Sequence, residues 1–89
     1  MENWIMETQI GKVTHYFNRI NVAVLEVSKE LKVGDMIHIL GRTTDITQRV
    51  GSMEIEHQKV QSVVAGAEVA LQVIEPVHSG DAVFLVREE

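Results

Sequence analysis

The stretch LKVGDMI at residues 31–37, together with VHSGDAV at residues 77–83, decides the fold. Each has an apolar lead-in, a Gly-Asp pair and then a run typical of a β-strand. Glycine adopts a positive φ without a Cβ clash, and an aspartate side chain accepts hydrogen bonds from nearby backbone amides. We therefore expect Gly34, Asp35, Gly80 and Asp81 to form two structural turns that each direct the chain into a new strand.

The composition favours a single all-β domain. The chain has 89 residues, of which 45% are hydrophobic, and this length is typical of one domain. Valine and isoleucine are abundant, and β-branched side chains favour pleated sheet over helix. We expect an N-terminal tail at residues 1–9, one β-barrel domain at residues 10–86 and a C-terminal tail at residues 87–89.

Residues 46–55 are too long and too irregular for one straight strand. Their apolar positions are even-numbered from Ile46 and odd-numbered from Met53. Because side chains alternate between the two faces of a strand, one extra residue is needed to keep both sets buried. The sequence predicts a β-bulge at Gly51 and Ser52.

The remaining segments predict a small barrel. Residues 57–65 have an ambiguous pattern, interpreted as one helical turn or an irregular loop that ends at a turn with Gly66. The other apolar runs give six short strands separated by glycine-bearing turns. A closed sheet removes exposed edges, so we predict a six-stranded closed barrel of the Greek-key type.

Several motifs between residues 10 and 86 resemble the second-domain barrel of translation elongation factor Tu and other translational GTPases. They are GKV at 11–13, LKVGD at 31–35, VGSMEI at 50–55, AGAEVAL at 65–71 and SGDAV at 79–83. A closer resemblance is to the carboxy-terminal barrel of collagenase-like peptidases, a family that also includes tRNA-hydroxylation proteins. It is carried by GKVTHYF at 11–17, GRTTD at 41–45 and SMEIEH at 52–57. These resemblances imply a stand-alone translation elongation factor-like binding module.

No catalytic, cofactor-binding or metal-binding residues are predicted, and we expect no enzyme activity. The four histidines lack metal-ligand spacing. The densest cluster is Glu54, Glu56 and His57, but on a straight strand the two glutamates would face away from the histidine. His15 shares a strand face with Val13, which predicts either a core histidine, the commoner arrangement, or a bulge that turns the ring outward.

Two turns combine aromatic, basic and hydroxyl side chains and form the candidate contact surface. Its residues are Tyr16, Asn18, Arg19, Arg42, Thr43 and Thr44. Aromatic rings stack on bases and arginine binds phosphates, so this surface could recognise single-stranded RNA. The alternative is structural, with Phe17 filling the barrel, Tyr16 packed on a neighbouring strand and Arg19 solvated.

The net charge and the absence of targeting signals limit the classes of partner and the cellular compartment that we expect. The formal net charge is −5, which favours a protein partner over direct RNA binding. We expect a cytoplasmic protein that binds neither a membrane nor a small-molecule substrate. The leading hypothesis is a non-catalytic module that serves translation or RNA modification, as an accessory to a separately encoded peptidase-like protein. The alternative is a homo-oligomeric assembly module, joined through strand 22–27 and Trp4-Ile5-Met6.

Overall fold

Apolar runs separated by turns form β-strands throughout the computed structural model, which describes residues 4–88. No helix occurs in these residues, so none is long and apolar enough to cross a membrane. The strands are β1 (Ile5–Phe17), β2 (Val22–Val27), β3 (Leu31–Lys32), β4 (Met36–Leu40), β5 (Asp45–Arg49), β6 (Met53–Ile55), β7 (Gln58–Val60), β8 (Ser62–Val63), β9 (Glu68–Gln72) and β10 (Ala82–Glu88).

Eight strands form one antiparallel sheet, in the order β5-β4-β10-β1-β2-β9-β6-β7, and β3 pairs with β8. The predicted all-β class is confirmed. The prediction of six strands in a closed barrel is not, because no backbone ladder joins the edge strands β5 and β7. Residues 46–55 contribute two strands, and residues 57–65 contain β7 and β8 in place of the predicted helical turn or loop.

The break between β5 and β6 lies where the apolar positions change parity. Residues 50–52 leave the ladder, and the buried side chains pass from even to odd positions across Gly51 and Ser52. Val50 keeps its backbone hydrogen bonds across this break, since its amide donates to the Asp35 carbonyl at 2.8 Å and its carbonyl accepts from Gly34 at 2.9 Å.

Inward-facing positions of the strands form one hydrophobic core. On β2 the buried side chains are Ala23, Leu25 and Val27, which follow the alternation of a strand with one face in the core. Full burial of a leucine or isoleucine side chain stabilises a fold by about 1.5–3 kcal/mol. Core residues with at most 1% exposure include Ile10, Val13, Leu25, Leu31, Ile37, Ile39, Val50, Met53, Val69, Val77 and Val83.

Strand β1 extends into the segment expected as a tail. Ile5–Gln9 pair with the end of β10, up to Glu88, while residues 1–3 and 89 lie outside the described residues. The register with β2 shifts between Val13 and His15. That shift leaves His15 exposed, so of the two predicted arrangements the outward-turning bulge is the one observed and the core histidine is wrong.

The two Gly-Asp turns have the same geometry. Gly34 and Gly80 adopt φ values of 96° and 95°. The Asp35 carboxylate accepts from the Lys32 amide at 2.9 Å, and Asp81 accepts from the amide of the residue three positions earlier at 2.8 Å. Each aspartate thus stabilises the turn that precedes a strand. Gly66 is a third positive-φ glycine, at 92°.

Gln48 joins the edge strand β5 to the chain that leaves β9. Its side chain is buried, Nε2 donates to the Gln72 carbonyl at 2.9 Å, and Oε1 accepts from the Ile74 amide at 2.9 Å. The Gln48 carboxamide therefore donates one hydrogen bond and accepts another, as a peptide group of a neighbouring strand would. It links β5 to the end of β9, although these two strands share no backbone ladder.

Replacing Gln48 with methionine keeps the side-chain volume and removes both hydrogen bonds. Since the Gln72 carbonyl and the Ile74 amide would lose their partner, Gln48→Met should lower the free energy of unfolding by about 1–3 kcal/mol. Urea denaturation measures this loss. The exposed Gln58→Met control should stay within about 0.5 kcal/mol of wild type, and equal effects of the two variants would contradict the role of Gln48.

Candidate functional site

Two adjoining cavities lie on the outer face of the sheet, between the β1–β2 turn and the β6–β7 turn. Their volumes are 370 Å³ and 470 Å³, and they share four lining residues. Together they form one depression, the outer groove. Its lining consists of Phe17, Ile20, Val22, Val24, Ser52, Glu54, Ile55, Glu56, His57, Glu68, Ala70, Leu71 and Gln72.

Strand alternation places small apolar side chains on the floor of the outer groove. Ala23 and Leu25 point into the core, so Val22 and Val24 face outward. Val24 lies opposite Ala70 of β9 in the antiparallel register. The floor is therefore apolar and shallow, because neither valine nor alanine extends far from the sheet.

The β6–β7 turn forms one wall. Its two central residues, Glu56 and His57, have φ values of 49° and 67°, the left-handed region that two-residue hairpins require. Non-glycine residues pay about 1–2 kcal/mol each in this region. Glu54, Glu56 and His57 all line the same cavity, because Glu56 and His57 form a turn and do not continue the straight strand on which the expectation for His57 is based. No group of residues among 4–88 has the arrangement of a metal site.

The β1–β2 turn forms the opposite wall. Phe17 and Ile20 are 47% and 60% exposed, so Phe17 does not fill the interior. The turn is held by the Tyr16 hydroxyl, 3.1 Å from Asn21 Oδ1, and by the Asn21 carbonyl, which accepts from the Val73 amide at 2.9 Å. These contacts fix the apolar wall on the end of β9.

The structure places the six predicted contact residues at two separate places in the chain. Tyr16 lies near the end of β1, Asn18 and Arg19 lie in the β1–β2 turn, and Arg42 and Thr43 are exposed in the β4–β5 turn. No hydrogen bond or ion pair within residues 4–88 joins the two turns. None of the six lines the outer groove. RNA contact by these residues stays a prediction.

Thr44 is buried rather than part of a contact surface. Its side chain is 3% exposed, and its Oγ1 lies 2.9 Å from His78 Nδ1. The Asp81 carboxylate lies 3.8 Å from the same ring nitrogen. In a catalytic triad, the nucleophile and the acid contact different nitrogens of the histidine. This cluster does not have that geometry, and it connects the β4–β5 turn to the Gly80-Asp81 turn.

Sequence reasoning missed the outer groove, although one signal was present. The run Val22–Val27 is apolar on both faces apart from Glu26, which predicts a covered strand. Its inner face is covered by the core, and its outer face is the groove floor. The acidic wall corresponds to the cluster Glu54, Glu56 and His57, but its turn could not be predicted, since it depends on left-handed residues that are neither glycine nor asparagine.

A second polar cluster, the His38 clamp, lies on the other half of the sheet. His38 Nδ1 is 2.6 Å from Glu7 Oε1, and its Nε2 is 2.7 Å from Asp45 Oδ1. The ring also packs near Phe84, with centroids 6.1 Å apart. The Glu7 carboxylate, followed by that of Asp45, accepts a hydrogen bond from the His38 ring and raises its pKa, against a smaller lowering by burial. Both carboxylates favour the imidazolium form.

The raised pKa of His38 makes part of the stability pH-dependent. The contribution is fully present below the ordinary histidine pKa and is lost as pH rises through the raised value. We expect the stability difference between wild type and His38→Gln to shrink from about pH 5.5 to about pH 9, measured by urea denaturation. His57→Gln is the control, and an NMR titration midpoint for His38 at or below the ordinary value would contradict the clamp.

The chain resembles peptidases over part of their length. No family model matches it. Over 81 residues it is 36% identical to an uncharacterized protease of Methanocaldococcus jannaschii, and the alignment covers 90% of this chain and 20% of that protein. Over 80 residues it is 38% identical to a collagenase of Porphyromonas gingivalis, and this alignment covers 88% of the chain and 22% of the collagenase. The chain thus spans about a fifth of the length of these curated relatives.

Two solved structures have the same fold. One is the selenomethionine variant of the C-terminal domain of a Geobacillus thermoleovorans protein assigned to the U32 peptidases, with a TM-score of 0.81, 16% identity and coverage of 85% of this chain and 96% of that one. A second crystal structure of that domain has a TM-score of 0.78, 18% identity and 91% coverage of both chains. The predicted likeness to a peptidase carboxy-terminal domain is confirmed, and the likeness to elongation factor Tu stays a prediction.

Proposed function

We propose that this chain is a non-catalytic module that binds a peptidase-like catalytic polypeptide. The observation that carries the proposal is the pattern of coverage. About nine-tenths of the chain aligns with a protease and a collagenase, yet that alignment takes up only about a fifth of each relative. The solved neighbours are themselves C-terminal domains. An appended domain of this kind serves chemistry that is carried out elsewhere in the assembly.

The side chains support a binding role over catalysis. A serine or threonine nucleophile needs a contact with a histidine, and within residues 4–88 the buried Thr44–His78 pair is the one hydroxyl–histidine hydrogen bond. Ser79 Oγ donates instead to the Thr14 carbonyl at 2.9 Å. Such a hydroxyl stabilises a turn. The exposed, concave and largely apolar outer groove is the kind of surface that recognises another protein.

A protein partner fits the charge better than RNA does. The formal net charge is −5, and the cavity lining contains glutamates but neither lysine nor arginine. Phosphate contacts depend on those cations. A role in translation or RNA modification would then be exerted through the protein partner, with direct RNA binding as the outcome to be tested against it.

Calorimetric titration of the purified chain with a peptidase-like catalytic polypeptide from the same genome tests the proposal. We expect saturable binding that ribonuclease treatment does not change. The Arg19→Ala/Arg42→Ala variant should bind as wild type does, as should the Lys29→Ala/Arg87→Ala control. Absence of binding would overturn the proposal. Binding to a single-stranded RNA oligomer that is lost only in the Arg19/Arg42 variant would establish the RNA hypothesis in its place.

One observation favours the alternative of a homo-oligomer. Ile5–Gln9 pair with β10 on one side only, because β2 pairs with β1 from Gly11 onward. Trp4, just before this segment, is 67% exposed, and Ile5 and Met6 within it are 66% and 51% exposed. An apolar strand with an unpaired edge is a template for pairing with a second copy.

Light scattering after size exclusion, at high micromolar concentration, tests self-association. If the β1 edges pair, the wild type should elute as a dimer and Ile5→Lys as a monomer, because a charge at the edge opposes pairing. Ile74→Lys, at an equally exposed position outside β1, is the matched control. A monomeric wild type at every concentration would remove the alternative.

A further inference from the structure

We infer that the outer groove binds a protein segment whose apolar side chains are flanked by lysine or arginine. The inference rests on the proposed function, since it specifies the chemistry of the partner segment that this module would hold. It is carried by two features of the same surface among residues 4–88, an apolar floor without a covering element and an acidic rim whose carboxylates form no ion pair.

The floor of the groove is an unpartnered sheet face. Val22, Val24 and Ala70 point away from the core, and the flanking Phe17 and Ile20 are about half exposed or more. Removing such side chains from water on binding is favourable in proportion to the area covered. The two cavities, of 370 Å³ and 470 Å³, have room for several apolar side chains.

The rim of the groove carries unpaired negative charge. Glu54, Glu56 and Glu68 line the larger cavity, and within residues 4–88 every ion pair involves His38 or His78 and none of these glutamates. Lys59 lies opposite Glu54 in the β6–β7 register but forms no ion pair with it. The rim carboxylates therefore have no direct ion-pair partner among residues 4–88.

Two local arrangements maintain this charge at a cost to the fold. Glu26 and Glu68 are direct cross-strand neighbours, and like charges in that position destabilise a sheet, although Lys12 lies opposite Glu26 on β1 and offsets part of this repulsion. Glu56 sits in the left-handed region at φ 49°, a conformation that glycine would adopt without strain. Strained residues of this kind cluster at ligand-binding sites.

The negative charge of the rim favours a protein segment that carries positive charge. A segment with cations at its ends would place them beside the glutamates and its apolar side chains on the floor. An acidic segment or a nucleic acid would be repelled by the same carboxylates. Because rim charges mainly steer association, binding should weaken as salt is added.

A blocked heptapeptide, Lys-Leu-Thr-Ile-Thr-Leu-Lys, is the probe for the groove itself. In ¹⁵N NMR titrations we expect shifts confined to groove residues, and no shifts with the same peptide carrying glutamate in place of lysine. The Glu54→Gln/Glu56→Gln/Glu68→Gln variant should lose about tenfold in affinity, while Glu30→Gln/Glu75→Gln/Glu88→Gln keeps wild-type affinity. Ile20→Ser should also weaken binding, with Ile74→Ser as its control.

Failure of this inference is distinguishable from failure of the proposed function. No binding of the lysine peptide, or equal binding of the glutamate peptide, would overturn the inference whatever the catalytic polypeptide does. If that polypeptide binds the triple glutamine variant as tightly as wild type, the function stands and the groove is not its docking site. If the peptide binds and the polypeptide does not, the groove chemistry stands and the proposed partner is wrong.

Discussion

The buried carboxamide of Gln48 holds together two parts of the sheet that backbone pairing leaves apart. Its two hydrogen bonds reach Gln72 and Ile74, at the point where β9 ends. The intervening Val73 amide donates to Asn21 in the β1–β2 turn. One side chain thus fixes the end of β9, which in turn positions the apolar wall of the outer groove. The groove geometry depends on a polar contact in the core.

Local chemistry explains which parts of the fold were predictable. The Gly-Asp turns depend on residues three positions apart, and the break near Gly51 follows from the parity of neighbouring apolar side chains. The strand count and the open ladder depend on pairings between distant residues, such as Leu31 with Val63, which no local pattern specifies. The outward turn of His15 results from a one-residue register shift with β2, equally invisible in a single strand.

The candidate site was harder to predict than the fold, for a related reason. The six residues chosen by side-chain type lie at two separate places in the chain, and the hydroxyl of Thr44 already forms a hydrogen bond with His78. The groove depends instead on outward valines, which ordinarily signal core, and on Glu56 and His57 in a backbone conformation that their identities disfavour. Fold likeness to a peptidase C-terminal domain does not supply this surface, because function belongs to sites rather than folds.

The His38 clamp connects strands that share no backbone ladder. Glu7 is on β1 and Asp45 on β5, and the sheet order separates them by β10 and β4. One bound proton therefore couples the first strand to the far edge of the sheet. Loss of this proton weakens the side-chain contact of Glu7, and since Ile5–Gln9 pair with β10 alone among the described strands, we expect the amides of this segment to exchange first under alkaline conditions.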